Sequence, residues 1–324
     1  MKSDDFLARI ERDSEQINIC LRDNLQSHVQ LIAKVGNHIL LGGGKRLRPI
    51  LFVESSRMCH YNGGREYYFS TVFEYIHAAT LLHDDVIDRA ATRRGRESAN
   101  MVWDNSAAVL VGDFLYSKSF NMAVEMGNIE ILDVLSATTN RMAEGMVLEL
   151  IHTHNLDMTE EQYLEVIVSK TAVLMAAAAR VGGMLGVTTP EQQRALENFG
   201  MDLGIAFQMV DDALDYMLSE KQFGKPVGKD IEEGKITLPF IHTLRSLPGP
   251  EARRLRDLVS KAGYRAEHFP EVCELVRKQG GIEETLAKAR TYADSAVGHL
   301  DVFHNCEHKD LMLELADFVI YRKL

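Results

Sequence analysis

An all-α fold is what this 324-residue sequence predicts, and three observations predict it. Apolar residues recur at i, i+3 and i+4, the spacing of one helix face. The strict apolar/polar alternation of a half-buried strand is nearly absent. Only seven prolines occur, so long helices can run without interruption.

Taken in order, the opening MKSDDFLARIERD lacks the apolar core of a signal peptide. Turn signals at Gly42 to Gly44 and at Gly63-Gly64 bracket a helix that starts near Pro49. Phe69, Val72, Phe73, Ile76, Ala79 and Thr80 then follow helical spacing up to an acidic string at Asp84. Further turns fall at Gly95, Thr189-Pro190, Gly224 to Gly228, Pro248 to Pro250 and Gly280-Gly281. Ile282, Leu286, Ala289, Ala293 and Val297 form another stripe, and Leu311, Leu315 and Phe318 a last one. No low-complexity linker separates these elements, so residues 1–324 read as one domain.

Composition narrows the function. Hydrophobic residues make up 46% of the chain, enough for a sizeable core. A net charge of -11 argues against nucleic-acid binding, which needs a basic surface. Cys20, Cys59, Cys273 and Cys306 show neither metal nor disulfide spacing, which suits a reducing compartment. The most apolar stretch, Leu174 to Val187, is broken by Arg180 and by glycines, so no transmembrane span is expected. A cytoplasmic protein is the expectation.

The chemistry is concentrated in a repeated string. DDVID (Asp84, Asp85, Asp88) and DDALD (Asp211, Asp212, Asp215) each put three carboxylates into five residues within apolar helical surroundings. Residues four apart share a helix face, so Asp84 pairs with Asp88 and Asp211 with Asp215. Carboxylates on a mostly buried surface are costly unless paired or bound to a cation. A solvated acidic face would give similar letters, as Asp4-Asp5 does, but two matched strings in apolar context point to divalent metal. Magnesium fits, because it takes one or two carboxylates plus waters and substrate phosphates. An EF-hand is excluded by the missing loop glycine and distal glutamate.

GGGKRLRP (Gly42 to Pro49) reads as an anion site: glycines admit close backbone approach, and Lys45, Arg46 and Arg48 supply donors suited to diphosphate. It is no Walker A loop, since Ile39 stands where the first glycine is required. Arg93-Arg94-Gly95 follows the first aspartates closely, and His77 lies two turns before Asp84 on the same helix. His83 reads as packing. Lys170-Thr171 interrupts an apolar helix, where a lysine must snorkel or meet an anion. Gln208 shares a face with Asp211. Lys225, Lys229 and Lys235 sit in a glycine-rich basic loop after the second string. His152 and His154 read as solvated loop residues.

GGGKRLRP, EYIHAATLLHDDVID, RRG, SKT, GIAFQMVDDALDY and EGKITLP, in this order, resemble the trans-polyprenyl diphosphate synthases, and most of all their bacterial octaprenyl type. The likeness spans nearly the whole chain, including LADFVIYRKL at its end. It implies an isoprenoid synthase-type helical bundle around a deep central cavity, as a homodimer. It implies about three magnesium ions per active site, each keeping waters and phosphate oxygens besides carboxylates, on Asp84, Asp85, Asp88, Asp211, Asp212 and Asp215. Lys45, Arg48, His77 and Arg94 would bind isopentenyl diphosphate. Arg93, Lys170, Thr171, Gln208, Lys225 and Lys235 would surround the allylic diphosphate and its reacting carbon. Asp84, Asp85, Asp88, Lys170, Thr171 and Gln208 would carry the catalysis.

The activity so implied is head-to-tail addition of isopentenyl units to an allylic diphosphate such as farnesyl diphosphate, giving a long all-trans product for quinone side chains. Small residues one turn before the aspartates, Ala79 and Thr80, leave room for it, with Ile76 deeper along the helix. Phe52, Leu132 and Leu135 are candidates for the floor. An α-helix rises about 5.4 Å per turn, comparable to one extended isoprene unit. Met146 and Glu149 depart from long-chain relatives, Glu149 resembling a short-chain aspartate, so a geranylgeranyl-type product stays open. A class I terpene cyclase, an HD-type phosphohydrolase and a non-catalytic regulatory subunit are the other readings. The first lacks a need for GGGKRLRP, the second needs more histidines, and the third tends to lose aspartates. A transient membrane contact for release of the oily product is a further expectation.

Overall fold

The computed structural model describes residues 3–217, 228–260 and 266–321. Helices α1 (Ser3–Asn24), α2 (Gln30–Leu40), α3 (Leu47–Met58) and α4 (Glu66–Ile87) lead to a hairpin of β1 (Thr92–Arg93) and β2 (Arg96–Glu97). Next come α5 (Ala99–Val102), α6 (Asn105–Val124), α7 (Ile129–His152) and α8 (Glu160–Ile167). A π-helical turn (Val168–Ala172) joins α8 to α9 (Val173–Leu185), and α10 (Pro190–Met217) follows. The chain ends through α11 (Lys229–Glu232), α12 (Leu238–Ser246), α13 (Gly249–Val259), α14 (Phe269–Lys278), α15 (Gly281–His299) and α16 (Glu307–Tyr321). The all-α expectation holds: among the described residues, the hairpin is the only strand pair.

Helix starts follow local chemistry. Asp104 caps α6 by accepting from the Ala107 N–H at 2.8 Å. Thr159 and Gln162 form a reciprocal capping box at α8. Thr189 and Gln192 exchange the same two bonds at α10, where Pro190 takes the first helical position, whose N–H needs no partner.

The chain divides into two compact units. The first comprises Met1–Thr139, Leu174–Gly200 and Leu300–Glu314. Its centre is α4, which packs chiefly on α6 and then on α3 and α1. The predicted stripe Phe69, Val72, Phe73, Ile76 and Ala79 is buried. Phe52 of α3 meets Phe73 with ring centroids 5.4 Å apart. The second unit comprises Asn140–Val173, Met201–His299 and Leu315–Leu324, with α12 packed on α15.

The cysteines are free, as their spacing suggests. Burial pushes the thiols of Cys59 and Cys273 up to about 12, so neither is a reactive thiolate. Among the described residues, no helix is long and apolar enough to cross a membrane.

Candidate active site

Within the first unit, four segments bring the anion site together. The loop after α2 runs through Gly43 (φ +95°) and Gly44 (φ +150°), conformations that favour glycine. A Cβ on Gly44 would lie 2.9 Å from Nη1 of Arg94, so the missing side chain is what lets that guanidinium lie over the loop. Arg94 (φ +52°) and Gly95 (φ +74°) are the two central residues of the β1–β2 turn, both left-handed as a tight hairpin turn requires. The hairpin therefore aims Arg94 at the GGGKRLRP loop, while Arg93 turns the other way and donates from Nε to Asp85 Oδ1 at 2.7 Å.

Positive groups crowd this place without enough counter-charge. The Nε of Arg48 is buried and has no hydrogen-bond partner. Burial, with Arg94 nearby, lowers the Arg48 guanidinium to about 10, and Glu74 works against the shift. Burial likewise lowers Arg94, opposed by Glu74. His77 is held well below the ordinary histidine value by burial and then by Arg48, Arg94, Arg93 and Arg46. An orphaned donor among cations that resist their own protons is an arrangement completed by an anion.

One sequence expectation changes here. Arg46 reads in the sequence as another phosphate donor. Its guanidinium is instead spent inside the protein, on Glu74, on the Leu40 carbonyl and, at 2.9 Å, on Asn18 Oδ1. Lys45 beside it is exposed.

In each acidic string the middle aspartate is held by the protein, and the outer two lie four residues apart. Asp85 is fully buried against Arg93. In the second unit, Asp212 accepts from the Tyr163 hydroxyl at 2.6 Å and from Gln208 Nε2 at 2.8 Å. Gln208 Oε1 in turn accepts from Thr171 at 3.0 Å. Asp215 takes the backbone N–H groups of Gly228 (3.1 Å) and Asp230 (3.2 Å). Burial pushes the Asp212 carboxyl up to about 7, and the charges of Asp211 and Asp215 add to the rise. Asp215 and Asp230 are raised for the same reasons, burial first and neighbouring carboxylates next.

These carboxylates satisfy a hard-cation test. Their oxygens suit magnesium, and the mutual repulsion that drives protons onto them would be relieved by a divalent ion. Among the described residues, no three His, Cys, Asp or Glu side chains are gathered as a ready-made metal cage. Magnesium does not ask for one, since waters and substrate phosphates complete its shell.

Lys170 and Thr171 sit on the π-helical turn, a local widening that is frequent at functional sites. Gly145 of α7 makes room for it, because a Cβ there would come within 2.7 Å of Ser169 Cβ. Lys170 pairs with Glu149 of α7. Lys235 bonds Glu233 at 2.6 Å. Lys225 lies outside the described residues.

His83 stands 3.4 Å from Asp113, and its Nε2 approaches the Val109 carbonyl at 3.3 Å, so it packs against α6 and does not serve an HD-type centre. The expectation of solvated histidines at 152 and 154 needs revision. His154 donates its backbone N–H to the Gly234 carbonyl at 2.7 Å, and its ring fills the space over that glycine. The IHTHN turn thereby fastens the EGK loop.

Of the chain-length candidates, Ile76 and Ala79 are buried and Thr80 is partly exposed, its hydroxyl donating to the His77 carbonyl at 2.8 Å. Phe52 and Leu135 are fully buried, whereas Leu132 is partly exposed. Tyr163, Glu74 and Asp230 were not legible as site residues. Only GKD, after the second string, carried any signal, for Asp230.

Comparison with known proteins gives concordant results. Residues 29–276 match the sequence model of the polyprenyl synthetase family. The octaprenyl diphosphate synthase of Escherichia coli (strain K12) is 40% identical over 311 residues, 96% of either chain. The geranylgeranyl diphosphate synthase of Saccharolobus solfataricus is 30% identical over 333 residues and the full length of both. The crystal structure of a polyprenyl synthase from Caulobacter crescentus CB15, complexed with calcium and isoprenyl diphosphate, superposes with a TM-score of 0.93 at 35% identity. That match covers 99% of this chain and 98% of the other.

Proposed function

Since the chain belongs to the polyprenyl synthetase family and is a trans-prenyltransferase, we propose that it lengthens an allylic diphosphate such as farnesyl diphosphate to octaprenyl diphosphate. One observation carries the reading. His77, in the uncompensated cationic cluster, and Asp84 stand two turns apart on α4, about 10 Å along its axis at 1.5 Å per residue. A single helix thus carries a residue of the anion site and a residue of the carboxylate site. The residues 1–324 work as one polyprenyl synthase domain.

Isopentenyl diphosphate takes the place the cations leave open, on Arg48, His77, Arg94 and Lys45. Each acidic string would hold magnesium through its outer aspartates, with Asp85 and Asp212 oriented by Arg93, Tyr163 and Gln208. Magnesium, when bound, neutralises the allylic diphosphate and stabilises the charge on the departing group. Lys170, Arg93, Lys225 and Lys235 add positive charge to that group. Thr171 Oγ and the free lone pair of Gln208 Oε1 face the allylic carbon as its C–O bond breaks. The isopentenyl alkene then attacks that carbon, a C–C bond forms, and a proton passes to the released diphosphate. Repetition gives an all-trans chain, used for quinone side chains.

The enzyme acts in the cytoplasm as a homodimer. Helix α6 supports dimerisation, because it presents apolar side chains outward as well as inward: Leu115 and Met122 are buried, yet Leu110 is 66% and Val124 60% exposed. The oily product leaves through a transient membrane contact. The test is purified protein with magnesium, farnesyl diphosphate and labelled isopentenyl diphosphate, the products being sized by chromatography. An octaprenyl product is expected. A geranylgeranyl product overturns the length, and a cyclised hydrocarbon from the allylic diphosphate alone overturns the reaction.

A further inference from the structure

Arg46 is in an unusual position. It is the residue before α3, held at φ +51°, a left-handed conformation that a side chain bearing a Cβ seldom adopts. It is also buried, at 4% exposure, one residue from the exposed Lys45. Its guanidinium divides three ways. Nε donates to Asn18 on α1, one terminal nitrogen caps the C-terminal carbonyl end of α2 at Leu40, and the other meets Glu74 on α4. Its own carbonyl accepts the Ile50 N–H at 3.0 Å inside α3. One residue therefore fastens four helices around the loop that carries Lys45 and Arg48.

Glu74 is the other half. It is 6% exposed, stands three residues before His77 on α4, and is the buried negative charge that Arg48 and Arg94 both sense. Each guanidinium nitrogen of Arg46 has a partner inside the protein, and Glu74 is an anion, so neither side chain is a donor for phosphate.

We propose that Arg46 and Glu74 are positioning residues: a buried brace that fixes the Gly42–Arg48 loop and α4 in register, so that Arg48, His77 and Arg94 present their donors to isopentenyl diphosphate. The inference rests on the assignment of that site under the proposed function. Arg46→Lys keeps the charge but loses the fork that reaches three partners at once. Glu74→Gln keeps an acceptor for Arg46 and removes the charge. Misplacing a binding group by about 1 Å is worth up to 100-fold.

The experiment measures KM for isopentenyl diphosphate, KM for farnesyl diphosphate and kcat, at one temperature below the melting point of every variant. For Arg46→Lys and Glu74→Gln the isopentenyl KM is expected to rise roughly 10- to 100-fold, with the farnesyl KM and kcat within about two-fold of wild type. Asn18→Ala, which removes one bond from a partly exposed partner, gives a smaller rise in the same constant and carries the test if the other two do not fold. A melting point that drops while all three constants stay put overturns the brace as a functional device. A fall in isopentenyl KM for Glu74→Gln also overturns it, because that is what a pure charge effect would do. Arg48→Ala separates the two claims. If it leaves the isopentenyl KM unchanged, the site assignment is wrong; if it raises it while the brace variants do not, only the brace is wrong.

Discussion

The Tyr163 hydroxyl donates a 2.6 Å hydrogen bond to Asp212 Oδ2, and both groups are buried in the second unit. A neutral donor at this distance favours the charged carboxylate, against the burial and like charges that push Asp212 the other way. Removing it leaves a buried oxygen without its donor. Tyr163→Phe is expected to raise the magnesium concentration for half-maximal activity about 10-fold or more, the scale of such supporting contacts. A magnesium titration of turnover checks this, and an unchanged midpoint counts against the assignment.

The aspartates themselves should behave differently. Asp84→Ala and Asp211→Ala are each expected to abolish turnover while the far-ultraviolet circular dichroism and the melting curve keep their native form. Both residues lie inside long helices, and alanine is the strongest helix former, so α4 and α10 keep their backbone. Near-wild-type rates from either variant would refute a metal role.

His77 sets a pH dependence. Its folded-state pKa lies below the usual 6.5 because burial and four arginines oppose its proton. Below pH 6.5 the unfolded chain takes up a proton that the folded chain refuses, so stability falls as pH falls through that value. The slope approaches about 1.4 kcal/mol per pH unit for one proton. Urea midpoints between pH 5 and 7.5 should show this for wild type and much less of it for His77→Asn. A diphosphate among the arginines reverses the field, so binding at pH 6 is expected to take up a proton, measurable by calorimetry in buffers of different ionisation enthalpy.

Product length should respond to α4. Thr80 is partly exposed, so Thr80→Phe is expected to shorten the product with little loss of stability. Ala79 is buried, and its carbonyl sits 3.3 Å from where a Cβ on Gly112 would be. Ala79→Tyr is therefore expected to shorten the product and to cost about 1–3 kcal/mol from overpacking. Chromatography of the prenyl products and thermal melts read the two effects separately. Unchanged lengths would remove Ala79 and Thr80 from the measure of chain length.

Gly44 offers the sharpest test of the anion loop. Gly44→Ala puts a methyl against the Arg94 guanidinium at a backbone angle that disfavours it. The isopentenyl KM is expected to rise about 10-fold or more, since misplacement near 1 Å can cost 100-fold, with the farnesyl KM little changed.

The sequence alone determined the helices, their order and the strings that carry the chemistry. Those signals are local: helical periodicity spans a few residues, and DDVID, DDALD, GGGKRLRP and RRG are contiguous. Spacing of four even told which aspartates share a face. What only the tertiary structure decided is which polar groups are spent inside the protein. Arg46 reads like its neighbours Lys45 and Arg48, yet it turns inward to Glu74, 28 positions away. Tyr163 reads as one more core aromatic until its hydroxyl is found on Asp212, 49 positions on. His154 looks solvated until Gly234 is seen beneath its ring. Such partners are chosen by burial, because an unpaired polar group out of water is too costly to leave, and burial belongs to the packed chain, not to any stretch of letters.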